Sequence, residues 1–390
     1  MTEGPSAPNI LWYIGAVDGD VPWDPRHGRP ASFDELRAQA QNLDDLGYFG
    51  ALTTAREPIA LVGDTKHLRF VVPEYPGVKP PALLAEQAQV FDSYSGGRLI
   101  FNQVNGADPV LARYGRFESK DERYELSKEY WRQVKSLYLD ETEGHDGTFL
   151  KYGPRFKPPI AGDRRPTGVP VWGTGASAAG IDHAAAVLDV YLSFLGPIET
   201  TAELFGRVRQ AAGAVGKELQ FGVLTSVIVR ETEQEAWDHF EWQLANTSPQ
   251  AVLATADRNL RSFGFPPLAE LTSPDPQVQR RIDALRAGRL PSRGDLEFAP
   301  NMAAGLTTWT GAEPPFDIAG KGTGTYLVGS AENVAARMQE MARIAGIDYW
   351  LLSGWPLVEE AAITAELLFP QLGFELPPAL SDRLRTGNPR

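Results

Sequence analysis

One stretch of this 390-residue chain has the residue types that could hold an anion: Val171-Trp172-Gly173-Thr174-Gly175-Ala176-Ser177-Ala178-Ala179-Gly180. Small residues let backbone N–H groups crowd together and Ser177 adds a hydroxyl. A helix starting here would aim its positive dipole end at the same point. A phosphate-bearing ligand suits such a loop. The plainer reading is a tight strand-to-helix turn in which Ser177 caps its own helix, and the motif alone leaves both open. Gly173-x-Gly175-x-x-Ala178 also matches the dinucleotide fingerprint, which needs an acid at the end of the following strand. Asp189 precedes that strand and Val190–Phe194 ends without a carboxylate, which disfavours a nicotinamide dinucleotide domain.

Other catalytic signatures are missing from the sequence. The five histidines, His27, His67, His145, His183 and His239, lack metal-ligand spacing, so no metal site is expected. Asp182-His183 and Asp238-His239 fall in helical patterns and read as solvated or satisfied side chains. Gly-x-Ser-x-Gly does not occur, and the absence of Cys excludes disulfide scaffolds, Cys-ligated metal centres and thiol nucleophiles. With 37 Lys and Arg against 50 Asp and Glu, the net charge of −13 opposes general affinity for nucleic acid or anionic membranes. The first residues lack a signal-peptide pattern and no run of about 18 apolar residues occurs, so a cytoplasmic protein without a membrane partner is expected.

The elements that must position these residues follow from hydropathy. Short apolar runs alternate with helical-period segments, the pattern of a parallel sheet with crossover helices. Eight strands are predicted: Asn9–Ile14, Phe49–Thr53, Leu68–Pro73, Leu99–Val104, Val169–Trp172, Val190–Phe194, Phe221–Val229 and Tyr349–Ser353. Amphipathic segments between them include Ser32–Leu46, Pro81–Ser93, Glu118–Leu139, Ser177–Val187 and Glu199–Ala214, then Glu233–Leu244 and Val334–Ala345. Eight such units close most economically as an α/β fold of the (β/α)8 barrel type. Residues 246–326, rich in Pro, Gly and Thr with one helical piece at Pro276–Ala287, read as a lid inserted before the last strand. The whole chain, 1–390, then reads as a single barrel domain.

A barrel keeps its chemistry at the C-terminal ends of its strands. These ends deliver Asp18; Thr53, Thr54 and Arg56; Glu74 and Tyr75; Asn102 and Asn105; Trp172; Ser193; and Ser353 and Trp355. The set is polar but poor in acid–base pairs, and suits holding a large planar cofactor better than transferring protons.

Several blocks resemble the bacterial alkanesulfonate monooxygenases, a branch of the luciferase-like flavin monooxygenases. They are Asn9-Ile-Leu-Trp-Tyr, Gly97-Arg98-Leu-Ile-Phe-Asn102-Gln-Val-Asn105-Gly106-Ala-Asp108, Glu122-Arg123-Tyr124-Glu125, Gly346-Ile-Asp348 and Leu352-Ser353-Gly354-Trp355-Pro356. The resemblance implies a (β/α)8 barrel that binds reduced FMN (FMNH2) from a separate NAD(P)H flavin reductase, activates O2, and forms a homodimer or homotetramer. It implies that Asn102 and Tyr124 contact the flavin and that Ser177 contacts its phosphate, with Thr174, Gly175 and Thr54 completing the cofactor site.

The departures concern substrate. Val17 stands where the family has a His, and Ala55-Arg56-Glu57 replaces a Cys-containing run. Leu224 and Ser226 replace an Arg and a His, Trp355 replaces a Tyr, and the nearest lid cation is Lys321. A sulfonate buried without cations costs several kcal/mol. The expected activity is therefore a two-component monooxygenase acting on an organic small molecule other than a simple alkanesulfonate. Asn105, Arg56, Tyr75, Ser226, Trp355 and Lys321 are the candidates for positioning substrate and stabilising charge. The alternatives are a deazaflavin-dependent oxidoreductase of the same superfamily, or a non-catalytic flavin-binding partner subunit.

Overall fold

The computed structural model describes residues 7–375 apart from 16, 25, 31, 54–57, 107, 142, 155–161, 163–164, 263, 306 and 308–323. Strands and helices within that range are numbered β1–β15 and α1–α13 along the chain. Eight strands form one closed parallel sheet: β1 (Asn9–Ile14), β4 (Gly50–Thr53), β5 (Arg69–Glu74), β6 (Leu99–Gln103), β9 (Val171–Gly173), β10 (Val190–Phe194), β11 (Gln220–Arg230) and β15 (Tyr349–Ser353). Their order is β10-β9-β6-β5-β4-β1-β15-β11, and β11 pairs again with β10. This is the predicted (β/α)8 barrel, built from the predicted strands with small shifts at their ends. Their unbroken apolar runs arise because a parallel sheet is covered on both faces, as the nine consecutive buried residues of β11 show.

Several helices begin where the sequence places Ser or Thr three residues before an acid. Ser32 with Glu35, Ser119 with Glu122 and Thr232 with Glu235 form capping boxes on α1 (Phe33–Asp45), α5 (Lys120–Tyr138) and α8 (Glu233–Ala245). Among the described residues, no helix is long and apolar enough to cross a membrane.

Contacts gather the chain into two compact units, with β4 and β11 passing from one to the other. Residues 52–193 and 203–222 form one unit. In it, α3 (Pro81–Ser95) and α5 pack against each other, and the described residues of the β4–β5 crossover include the four-residue helix α2 (Ile59–Val62). The turn after α2 is held by Arg98. Its guanidinium donates to the carbonyls of Val62, Thr65, Leu68 and Ser95 and to the Thr65 hydroxyl.

Residues 1–51, 194–202 and 223–390 form the other unit. Asp18, after β1, accepts the Leu357 N–H at 2.8 Å, where α13 (Leu357–Gln371) presents its positive end. The far half of β11 pairs in parallel with β14 (Tyr326–Ser330), from Ser226 opposite Tyr326 to Arg230 opposite Ser330. β14 then pairs antiparallel with β13 (Met302–Ala303), and β13 with β12 (Glu297–Ala299).

The insertion holds more helix than predicted. Besides α10 (Pro276–Arg286) it contains α9 (Pro249–Ser262) and the short α11 (Arg293–Leu296). Val252, Ala256 and Leu260 recur every four residues on α9 and pack with Val278, Ile282 and Leu285 of α10 in a cluster of their own.

Glu233, at the start of α8, fastens this region. Its carboxylate accepts Trp237 Nε1–H (2.8 Å), Asn301 Nδ2–H (2.8 Å), Ser330 N–H (3.0 Å) and Asn333 Nδ2–H (2.9 Å). Burial works against the charge, but the bonds from Asn333, Ser330, Trp237 and Asn301 prevail and hold the carboxyl below its ordinary range. Glu233→Gln turns one acceptor into a donor facing N–H groups, and is expected to cost about 2 kcal/mol in urea unfolding. Glu231→Gln, at an exposed neighbour, should stay within about 0.5 kcal/mol.

Candidate active site

The glycine loop leaves β9 and enters α6 (Ala178–Val187). Gly175 has φ +154°, and a Cβ there would lie 3.0 Å from Gly180 Cα and 3.1 Å from the Tyr124 hydroxyl oxygen. A Cβ on Gly180 would lie 2.8 Å from the Gly175 carbonyl carbon. Only glycine fits at either position. Ser177 caps α6 by accepting the Gly180 N–H at 3.2 Å, a bond that does not use its own proton. Next to it are the first N–H groups of α6, which have no intrahelical acceptor. The Tyr191 hydroxyl on β10 donates to the Gly175 carbonyl at 3.2 Å and fixes the far side of the turn. Asp189 accepts the Val171 N–H at 2.8 Å, so this acid anchors β9.

Tyr124, Thr174, Gly175 and Ser177 thus form one cluster, with Tyr124 buried and Thr174 exposed. Asn102 stands half-buried at the end of β6, level with Pro73 and Trp172 on the adjoining strands. Tyr75 and Asn105 line a narrow cleft with Arg116 and Arg123. The Tyr75 ring leans on Tyr114 with centroids 6.1 Å apart.

In the other unit, Ser226 and Ser353 share a hydroxyl–hydroxyl hydrogen bond of 3.0 Å. Trp355 sits edge-on against Trp23 at 5.7 Å, and its carbonyl accepts from Gln243. Ser226 and Trp355 are each 1% exposed, so both are buried within this unit. Thr54, Arg56 and Lys321 lie outside the described residues.

A family model described as luciferase-like monooxygenase matches residues 20–349. The chain belongs to the luciferase-like monooxygenases. It is an oxidoreductase of that family, in agreement with the family-level reading of its motifs. Its fold is similar to that of a riboflavin lyase (RcaE) solved with modified FMN and substrate riboflavin, with TM-score 0.70 and 18% identity over 98% of this chain and 96% of that one. A long-chain alkane monooxygenase (LadA) has TM-score 0.70 and 17% identity over 99% and 93% of the two chains. The coenzyme F420 dependent tetrahydromethanopterin reductase from Methanopyrus kandleri has TM-score 0.58 and 12% identity over 94% and 100%.

In this luciferase-like monooxygenase a histidine packs behind the loop, buried rather than solvated. His183, read as solvated or satisfied, is 0% exposed. Its Nε2 lies 2.8 Å from Ser127 Oγ, and its Nδ1 has no hydrogen-bond partner. Residue type and a neighbouring Asp could not reveal this, because the burial arises only when α5 packs on α6.

Burial, reinforced by the charge of Lys128, lowers the His183 pKa from 6.5 to about 4. Burial likewise lowers His239 to about 4. Both imidazoles are neutral in the folded protein, while in the unfolded chain they protonate near pH 6.5. The stability they confer is complete above pH 6.5 and drains away as the pH falls toward 4, because the unfolded state takes the proton first. Between pH 7 and pH 5 in denaturant titrations, His183→Asn should lose about 2 kcal/mol less stability than the wild type.

Proposed function

We propose that this chain is a two-component monooxygenase that takes reduced FMN from a separate NAD(P)H-dependent flavin reductase and uses O2 to oxygenate an organic molecule, working in the cytoplasm as a homodimer or homotetramer. The observation that carries this reading is the cradle at Gly175. Its backbone lies where no Cβ fits, and two hydroxyls and a helix N-terminus converge on it, which is the donor set a phosphate monoester needs.

Ser177, Thr174, Tyr124 and the α6 N–H groups would hold the phosphate, and Asn102 the edge of the ring system. When bound, reduced flavin supplies two electrons to O2, so that one oxygen atom enters the substrate and the other leaves as water. Tyr75 and Asn105 would orient the substrate. Ser226, Trp355, Arg56 and Lys321 keep their assignment on the substrate side, and Thr54 its assignment to the cofactor site. The uncharged Leu224, Ser226 and Trp355 suit a substrate less anionic than a sulfonate.

Titrating the protein with reduced FMN under anaerobic conditions, by fluorescence quenching, tests the cofactor. Tight binding of FMN and weak binding of coenzyme F420 are expected, and the reverse would establish the deazaflavin reading. Gly175→Ala should weaken FMN binding at least tenfold, since the new methyl group displaces the Tyr124 hydroxyl or Gly180. With a flavin reductase, NADH and 1-octanesulfonate, sulfite release should stay at background. Robust sulfite release would overturn the substrate assignment.

A further inference from the structure

We propose that His183 is a positioning residue for the phosphate end of the flavin site, acting through Tyr124; the inference rests on the flavin reading above. Tyr124 and Ser127 lie three residues apart on α5 and therefore share a face. His183 of α6 meets both. Its ring centroid is 5.4 Å from that of Tyr124, with the planes at 44°, while its Nε2 is bonded to Ser127 Oγ at 2.8 Å.

Ser127 and His183 are both fully buried. The bond to Ser127 fixes the plane of the imidazole, and the imidazole in turn limits how far the Tyr124 ring can swing. The Tyr124 hydroxyl is thereby kept beside Gly175, 3.1 Å from where a Cβ would lie. An apolar side chain would fill the same space without leaving a buried nitrogen unsatisfied, as Nδ1 of His183 is. What the imidazole provides and an apolar side chain does not is the hydrogen bond that sets the ring plane.

The phosphate-dependent part of binding isolates this role, because FMN and riboflavin differ only in the phosphate. Affinities of oxidised FMN and of riboflavin are measured by fluorescence quenching for the wild type, His183→Leu, Ser127→Ala, Tyr124→Phe and the His183→Leu/Tyr124→Phe pair. The wild type should prefer FMN at least tenfold. Tyr124→Phe and His183→Leu should each cut that preference severalfold, the double variant no further than Tyr124→Phe alone, and Ser127→Ala should also reduce it. A merely structural His183 would lower the melting temperature and leave the FMN-to-riboflavin ratio intact. An unchanged ratio in His183→Leu, or in Ser127→Ala should His183→Leu not fold, would overturn the proposal, as would losses that multiply in the double variant. A wild type with no preference for FMN would instead overturn the flavin reading on which it rests.

Discussion

Strand β11 has to pair with the barrel and with the insertion at once, and much of the molecule is arranged around that demand. Its first residues run beside β10 within the barrel, where the Leu195 N–H meets the Leu224 carbonyl. Its last residues run beside β14. The strand is buried along nine consecutive positions, and at 11 residues it is more than twice as long as the five-residue β10 and β15. The backbone groups exposed by that extension must find partners, and β14, β13 and β12 supply them in succession. The insertion is thus built outward from a barrel strand, and Glu233 closes the arrangement by binding α8, Asn301, β14 and α12 (Ala331–Ala345) through one carboxylate.

The sequence stated the glycine loop as a choice between capping a helix and holding an anion, but the geometry does not force one. A serine hydroxyl has lone pairs and a proton. Ser177 spends a lone pair on the Gly180 N–H and keeps the proton for another partner. The cap fixes the hydroxyl in place, which a ligand-binding group also requires. The same economy appears at Asp189, whose place just before a strand argued against a dinucleotide fold and whose carboxylate proves to be tied to the backbone of β9.

The barrel was legible because fully buried parallel strands write themselves as unbroken apolar runs, and NILWYI or FGVLTSVIV admits few other readings. The loop and Asn102 were legible for a related reason, since strand ends are where polar side chains interrupt those runs. Helix α9 escaped because it lies in a stretch whose Pro, Gly and Thr content reads as loop, although Val252, Ala256 and Leu260 recur there at helical spacing. Strands β12 and β13, of three and two residues, carry no period at all. His183 and Ser127 escaped for a different reason. Their identities are ordinary on helices, and only the packing of α5 on α6 turns them into a buried polar pair.

The apolar cluster shared by α9 and α10 draws on Val252, Ala256, Leu260, Leu268, Leu271, Val278, Ile282 and Leu285, all from one contiguous stretch of sequence. Such a segment carries its own reason to be folded. Exchanging it for a stretch of different length or composition leaves the barrel strands with the same neighbours, so this part of the chain is free to drift in evolution while the barrel strands stay fixed.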